Sequence, residues 1–269
     1  SGFIQNCNNT PFITTIGNEN PDSLLFSKTL GIETRMSNRA LRSMELFGSD
    51  ESITKDEFTQ YKYDLKYSDN SYMSQFVNRL LLKSSEFKDE KFVKGLEILK
   101  LWNKDTNMEN MHTALPILSF GWFVEINPND ISDDILIESF KDAVNYLDKH
   151  YGKLSVRWSK VNRLIRGDVN MGLAGGPDIS HAVYGYPNEF GQIKGFAGDA
   201  YLMLVEWDKD GKVSSESIHQ YGSNTQDRKS KHFSDQVPLF IERKRKPVWR
   251  DLEDIKLNLE KVYKPGRVN

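Results

Sequence analysis

Amide side chains are the densest group of potentially reactive residues, and they lie at the beginning of the sequence. Gln5, Asn6, Asn8 and Asn9 share one short segment that ends at Pro11. A rigidly held asparagine amide can donate to the oxyanion that develops during acyl transfer, and it needs no charge to do so. Asparagine is also typical of tight turns, because it tolerates left-handed backbone and bonds to its own chain. On residue type alone, the turn is the favoured interpretation.

The rest of the sequence contains no complete catalytic motif. A GxSxG elbow, a P-loop and a GxGxxG loop placed between strand and helix are all missing. Residues 175–178 (GGPD) indicate a turn. The single cysteine, Cys7, excludes an internal disulfide and a multi-cysteine zinc site. The five histidines have neither HExxH nor paired spacing, so we expect no metal site built on them.

Composition indicates a globular protein that binds neither nucleic acid nor membrane. The chain carries 36 basic and 38 acidic residues in 269, a formal net charge of -2. A dedicated nucleic-acid binder would usually show a strongly basic face. Hydrophobic residues make up 38%, which is enough for a core. No stretch approaches the roughly 18 consecutive apolar residues of a membrane-spanning helix.

Apolar periodicity and capping residues predict a helical lobe over residues 30–151. Apolar residues recur at helical spacing from about residue 29 to 46. Thr54 and Glu57 have the spacing of a capping box that opens a helix reaching residue 67. Further helices are predicted over 71–83, 88–102 and 133–150. For the last of these, Ser132 is the expected N-cap and Gly152 the expected stop.

Strand patterns predict a β-rich layer formed by residues 1–28 and 152–222. Residues 3–5 indicate a short strand, and residues 200–207 form an apolar run suited to a central strand. A tight turn over 208–211 and a returning strand over 213–221 make this the clearest hairpin in the chain. Residues 223–269 are expected to form a tail with a final helix from about 250 to 263.

Residues 1–12 (SGFIQNCNNTPF) resemble a segment of the penicillin acylases and acyl-homoserine-lactone acylases, which are N-terminal-nucleophile hydrolases. In that family the segment carries the oxyanion-hole asparagine. The resemblance places this role on Asn8, with Asn6 as the alternative. Residues 31–35 (GIETR) resemble the family segment whose arginine orders the asparagine network, which implies that Arg35 has this role.

Other segments resemble family motifs in the same order along the chain. They are 158–168 (WSKVNRLIRGD), 175–178 (GGPD), 182–185 (AVYG), 198–201 (GDAY), 232–236 (HFSDQ) and 239–240 (LF). Six matches in order make the assignment much stronger than any one of them. The resemblance therefore implies an α+β fold, namely part of an Ntn-hydrolase αββα sandwich with an attached helical lobe.

The same resemblance implies that this chain is the C-terminal part of an acylase β-subunit. The family nucleophile is a serine freed by self-cleavage of a zymogen, and it opens a different segment. Ser1 is therefore not expected to be the nucleophile, and the chain alone is expected to be inactive. The implied partners are the α-subunit, the remainder of the β-subunit and a small-molecule N-acyl amide substrate.

The form of the asparagine motif resembles the acyl-homoserine-lactone and aculeacin acylase branch, so a medium or long fatty acyl amide is the expected substrate. The resemblance also implies a periplasmic or secreted parent protein. No cofactor is expected. Asp22 lies near the position of a calcium-binding aspartate in penicillin acylases, but the spacing is stretched and calcium carries little weight.

A non-catalytic binding or structural domain is the alternative function. Trp158, Trp207 and Trp249, together with the many tyrosines, could form an exposed aromatic surface for a carbohydrate or a protein. Most of these aromatics have core spacing, which argues against such a surface. An acylase relative that has lost activity is a further possibility.

Overall fold

The computed structural model describes residues 1–264 and residue 266, and it divides them into two compact units. The first unit is Ser1–Asp199, and the second begins at Ala200. The boundary therefore lies before the predicted hairpin over residues 200–221. We expected this hairpin to share one layer with residues 1–28 and with the strands that follow residue 152. It does not fall at residue 223, where we expected the tail to begin.

Seven helices lie in the described part of the first unit. They are α1 (Asn38–Gly48), α2 (Lys55–Lys62), α3 (Tyr72–Leu82), α4 (Glu90–Leu101), α5 (Ala114–Phe120), α6 (Asp133–Tyr151) and α7 (Trp158–Val161). Six of them fall within residues 30–151, where helices were expected. α5 and α7 were not individually predicted, because each is too short to show a clear period.

Local capping explains where several helices begin and end. Thr54 and Glu57 form the predicted capping box at the start of α2. Ser132 accepts a hydrogen bond from the backbone of Ile135 and caps α6. Gly152 ends α6 in the left-handed conformation, with φ of 62°. These predicted caps are confirmed, and each satisfies a backbone group that the helix itself leaves unpaired.

Two helices differ from their predicted limits. α1 begins at Asn38 and not near residue 29, because Ser37 caps it and Gly31 adopts left-handed backbone before it. α2 ends at Lys62, five residues before the predicted end at Tyr67. Tyr67 instead donates its backbone N–H to the carbonyl of Lys104.

A single hydrophobic core joins α3, α4, α5 and α6. Phe76, Phe120 and Phe140 are fully buried within it. Phe140 also makes an edge contact with Phe87, at a ring-centroid distance of 5.4 Å. Such aromatic packing contributes beyond simple area burial. Trp158 extends this core towards the sheet of the first unit.

A four-stranded sheet completes the first unit, with the order β2-β1-β4-β3. The strands are β1 (Asn162–Arg166), β2 (Val169–Gly172), β3 (Val183–Pro187) and β4 (Ile193–Gly198). β1 and β4 are parallel, while β1–β2 and β3–β4 are antiparallel hairpins. The loop between β2 and β3 carries the GGPD turn.

The expected β-rich layer over residues 1–28 and 152–222 is wrong in two respects. Residues 1–28 contain no strand, and short 3-10 turns occur at Gly17–Glu19, Ser23–Leu25 and Lys28–Leu30. In this segment the side chains of Asn6, Asn9 and Asn20 bond to nearby backbone and so replace a strand ladder. The strands after residue 152 belong to two separate sheets, and β4 ends at Gly198, whose φ is 123°.

The second unit contains the predicted hairpin. β5 (Tyr201–Trp207) pairs antiparallel with β6 (Val213–His219), and β7 (Lys246–Pro247) adds a short third strand. α8 (Val237–Ile241) lies between β6 and β7 in the chain, and α9 (Leu252–Leu257) follows β7. α9 is shorter than the predicted helix over 250–263, because it has no buried residue to stabilise further turns.

In the described part of the chain, no helix combines the length and the apolar character needed to cross a membrane.

Candidate active site

The asparagine-rich segment forms a compact loop with an unusual backbone at Asn8. Asn8 has φ of 57°, in the left-handed region that asparagine tolerates better than most residues. Its backbone N–H donates to Oδ1 of Asn6 at 3.0 Å. This bond shapes the turn, and it uses the side-chain oxygen of Asn6 to do so. Asn8 itself is exposed, so its side chain is accessible to a substrate.

Asn9 has a structural task inside the loop. Its Oδ1 accepts from the backbone N–H of Cys7 at 2.9 Å. Its Nδ2 donates to the carbonyls of Thr10 and Ile13, at 2.8 and 3.1 Å. Because both ends of this amide are used by the loop, Asn9 has little capacity left for an external ligand.

The Asn8 side chain is held by Arg39, a residue on the first turn of α1. Nη2 of Arg39 donates to Oδ1 of Asn8 at 3.2 Å. A guanidinium is only a donor, so it must face the oxygen of the amide and not the nitrogen. The Nδ2 group of Asn8 makes no hydrogen bond to the described residues, and Asn8 is exposed.

Asp178 lies beneath Arg39 and is almost fully buried, with 2% of its surface exposed. Its Oδ1 accepts from Nε of Arg39 at 3.2 Å, and its Oδ2 accepts from the backbone N–H of Asn38 at 2.7 Å. Burial raises the pKa of this carboxyl, while the Asn38 N–H and the Arg39 charge oppose that rise. Asn38 is the first residue of α1, so the carboxylate also meets the positive end of the helix dipole.

Arg39 stays charged in this buried ion pair, and Tyr184 lies beside Asp178. Burial lowers the pKa of Arg39, but the Asp178 carboxylate and other neighbours raise it by more, so the guanidinium stays charged. Tyr184 accepts from the backbone N–H of Asp178 and donates to Glu125, at 3.2 and 3.1 Å. Burial raises the pKa of Tyr184 to about 12, which keeps this hydroxyl protonated at neutral pH.

Arg35 lies beside Asn8, as the sequence led us to expect, but it contacts the backbone. Its Nη2 donates to the carbonyl oxygen of Asn8 at 3.4 Å, a long hydrogen bond. Its Nε lies 4.0 Å from the carboxylate of Glu33. The carbonyl of Arg35 accepts from the backbone N–H of Thr10 at 2.9 Å. Arg35 therefore supports the loop and does not orient the Asn8 amide directly; its catalytic role remains a prediction.

Replacing Arg35 by alanine is expected to lower kcat about tenfold, less than the loss of Asn8 itself. The guanidinium makes a single long bond to the Asn8 carbonyl, so its removal loosens the loop without freeing the amide. The measurement is steady-state kinetics of the complete gene product on an acyl amide, with a thermal melt of each variant. A loss as large as that of Asn8→Ala would contradict this limited role.

Cys7 lies in the loop itself, and Ser1 lies at the start of the same segment. Burial raises the pKa of the Cys7 thiol, which disfavours the reactive thiolate. The Ser1 hydroxyl contacts Phe3 and Thr15.

Asp22 acts as a cap in this structure. Its Oδ1 accepts from the backbone N–H of Leu24 at 2.9 Å, at the start of a 3-10 turn. Across the residues that the structure describes, no three histidine, cysteine, aspartate or glutamate side chains form a group that could hold a metal ion.

The sequence analysis missed Arg39 and Asp178. Arg39 could have been noticed, because Ser37 is a good N-cap and the residues just after a cap lie at the exposed start of a helix. Asp178 gave no such signal, since GGPD is typical of a surface turn. The two residues are separated by 139 positions, and only the fold brings them together.

Comparison with known proteins identifies the family of this chain. A family model described as penicillin amidase matches residues 1–257, so the chain belongs to the penicillin amidase family. This family consists of amide-bond hydrolases. The mixture of helices and sheets is of the α+β class.

Among solved structures, a thermostable penicillin G acylase from Alcaligenes faecalis is similar to this chain, with 13% sequence identity and a TM-score of 0.43. The similarity covers 92% of this chain and 56% of the acylase chain. This chain therefore spans little more than half the length of that acylase chain. A search of the curated proteins gave no match.

Proposed function

We propose that this chain supplies the oxyanion-stabilising side of an acylase active site that hydrolyses N-acyl amides. One observation carries the proposal. The oxygen of the exposed Asn8 amide is bound by Arg39, and its Nδ2 group is left to donate to a ligand. A preorganised neutral donor is suited to the negative charge that develops on a carbonyl oxygen during amide hydrolysis.

The nucleophile in this proposal is a serine of the parent protein outside the present sequence. Its Oγ attacks the amide carbonyl carbon, and its own α-amine accepts the hydroxyl proton. The carbonyl electron pair moves to oxygen, where Nδ2 of Asn8 donates a hydrogen bond. The C–N bond then breaks, and the ammonium returns the proton to the departing amine. Water attacks the resulting ester in the same way and releases the acid.

The proposed substrate is a small N-acyl amide, such as an acyl-homoserine lactone or a penicillin. The loop sequence around Asn8 favours the acyl-homoserine-lactone branch and a medium or long acyl chain. The remainder of the β-subunit and an α-subunit would supply the nucleophile and most of the acyl pocket. Self-cleavage of a zymogen and a periplasmic or secreted location belong to the same proposal. Neither a cofactor nor a metal ion takes part in the proposed steps.

A non-catalytic binding domain is the second candidate, and one surface favours it. Trp122, Tyr186 and Phe196 are exposed and stacked, with ring-centroid distances of 5.0 and 4.3 Å. Of the tryptophans singled out in the sequence, Trp158 is buried, whereas Trp207 is 66% exposed. Hydrolysis of an acyl amide by the complete gene product separates the two candidates, because a binding domain would give none.

The test uses the complete gene product and the isolated 269-residue chain side by side. Both are incubated with acyl-homoserine lactones of increasing acyl length, with penicillin G, and with phenylmethylsulfonyl fluoride, a reagent that sulfonylates reactive serines. We expect the complete product to hydrolyse an acyl amide and to carry the adduct on a serine outside this chain. The isolated chain is expected to show neither activity nor adduct.

Two results would count against this proposal. A complete product that is folded but hydrolyses none of these amides would favour the binding domain. A stoichiometric mass increase located on Ser1 of the isolated chain would make the chain a self-sufficient hydrolase and would overturn the assignment of the nucleophile.

A further inference from the structure

We propose that Arg39 is a positioning residue that fixes which end of the Asn8 amide faces the substrate, and that Asp178 holds Arg39 in place. The inference rests on the proposed function, because orientation matters only if the Nδ2 group of Asn8 donates to the oxyanion. It assigns a task to a buried ion pair that the sequence motifs leave without a role.

An asparagine side chain has two ends of nearly the same shape and opposite hydrogen-bonding character. Either end of an exposed Asn8 amide could face the substrate if nothing held it. Nη2 of Arg39 lies 3.2 Å from Oδ1 of Asn8. A flipped amide would put two sets of N–H donors against each other and would lose this bond. The guanidinium therefore selects the orientation in which Oδ1 faces Arg39 and Nδ2 is left for another partner.

Asp178 prevents the guanidinium from moving away from Asn8. Its Oδ1 accepts from Nε of Arg39, so one guanidinium bridges the carboxylate and the amide. Asp178 is itself fixed through Asn38, whose backbone N–H donates to its Oδ2 and whose Nδ2 donates to its carbonyl at 2.8 Å. Because the planar guanidinium has several donors in a rigid fork, it can serve both partners at once.

The same helix start also fixes the backbone of the asparagine loop. Oγ of Ser37 donates to the carbonyl of Cys7 at 2.9 Å and accepts from the backbone N–H of Ala40 at 3.2 Å. The residue before Asn8 is thus tied to the N-cap of α1, and the side chain of Asn8 is tied to the second residue of α1. Backbone and amide share one rigid support.

Arg35 does not duplicate this function. It reaches only the main-chain carbonyl of Asn8, at 3.4 Å, and a carbonyl contact is indifferent to the orientation of the side-chain amide. Loss of Arg39 should therefore have a larger catalytic effect than loss of Arg35. We expect Arg39→Ala to lower kcat about 10²-fold, the scale expected when a catalytic group is slightly misplaced.

The experiment is a double-mutant cycle in the complete gene product, with Asn8→Ala, Arg39→Ala and the two combined. A residue that acts only through Asn8 has no effect once Asn8 is removed, so the two changes should be strongly non-additive. We expect Arg39→Ala to lower kcat about 10²-fold in the unchanged protein and less than about threefold in the Asn8→Ala background. KM should change little in either case.

Arg42 supplies a matched control on the same helix. Its Nε donates to the carboxylate of Asp64 at 2.8 Å, and its Nη1 pairs with the carboxylate of Glu45. Arg42→Ala also removes a partly buried ion pair, but it should leave kcat unchanged. Arg39→Lys is a second variant for the case in which Arg39→Ala does not fold. It keeps a positive charge beside Asp178. A single ammonium cannot bridge both partners, so we expect kcat to fall here as well.

The possible outcomes separate this inference from the proposed function. If Asn8→Ala lowers kcat and folded Arg39→Ala or Arg39→Lys does not, the positioning role is overturned and the proposed function stands. Equal effects of Arg39→Ala in both backgrounds would also overturn the positioning role. If Asn8→Ala has no effect, the oxyanion role of Asn8 and the positioning role fall together. Added methylguanidinium can take the place of the missing Arg39 guanidinium. It should therefore raise kcat of Arg39→Ala but not of the variant that combines Asn8→Ala with Arg39→Ala.

Discussion

Replacing Asn8 by alanine is expected to lower kcat of the complete gene product about 10²–10³-fold while KM barely changes. Removal of one oxyanion donor typically costs roughly 2.7–4 kcal/mol of transition-state stabilisation. The Nδ2 group of Asn8 meets little negative charge in the bound substrate and much more in the tetrahedral intermediate. Its loss should therefore appear in kcat and not in ground-state binding. Steady-state kinetics on an acyl amide measure this effect.

Neighbouring asparagines provide the controls for this variant. Asn6→Ala should have a smaller catalytic effect, because Oδ1 of Asn6 only accepts the backbone N–H of Asn8. Asn9→Ala should mainly lower thermal stability, because its amide bonds within the loop. A folded Asn8→Ala enzyme with near-normal kcat would contradict the oxyanion role. The asparagine motif would then have only a structural role in the turn.

Replacing Asp178 by alanine is expected to destabilise the fold by about 3–5 kcal/mol, the typical cost of breaking a buried ion pair from one side. The change leaves the guanidinium of Arg39, whose side chain is 21% exposed, without its carboxylate. It also leaves the backbone N–H of Asn38 without its acceptor at the start of α1. Urea unfolding and thermal melts of the purified protein measure the effect. We expect kcat to fall as well, because Arg39 loses the Asp178 carboxylate that holds it in place.

Asp178→Asn is the control that separates charge from shape. Asparagine keeps an oxygen for one of the two donors, and it tolerates the left-handed backbone at this position, where φ is 56°. Its destabilisation should therefore be clearly smaller than that of Asp178→Ala. An Asp178→Ala protein that unfolds at the same urea concentration as the unchanged chain would show that this ion pair contributes no net stability.

Local sequence signals predicted the regular elements that depend on local chemistry. The capping box of Thr54 and Glu57, the Ser132 cap and the Gly152 stop all occur as expected. The β5–β6 hairpin was equally clear, because alternation and a tight turn are properties of neighbouring residues. Short-range patterns therefore predicted most of the helical lobe and the second sheet.

The opening segment could not be predicted in this way, because strand and turn compete there for the same backbone groups. Residues 3–5 have strand character, but the asparagine side chains take the hydrogen bonds that a sheet would need. The final helix was overestimated for a related reason. Its residues have helical propensity, yet α9 has no buried face, and propensity alone stabilises few turns.

Only part of the candidate site could be predicted from the sequence. The family resemblance indicated Asn8 and Arg35, and the structure places the guanidinium of Arg35 beside the Asn8 backbone. The Arg39–Asp178 pair depends on the approach of the loop before β3 to the start of α1, which no local pattern encodes. A buried aspartate in a GGPD turn is indistinguishable from an exposed one until its long-range partner is known.

The most direct test of this account is the structure of the complete gene product with a phosphonate that mimics the tetrahedral intermediate. We expect Nδ2 of Asn8 at about 2.7–3.1 Å from the phosphonate oxygen that replaces the oxyanion. We also expect that Oδ1 of Asn8 still accepts from Nη2 of Arg39 in that complex. A phosphonate oxygen stabilised by other donors, with the Asn8 amide turned away from it, would contradict the account.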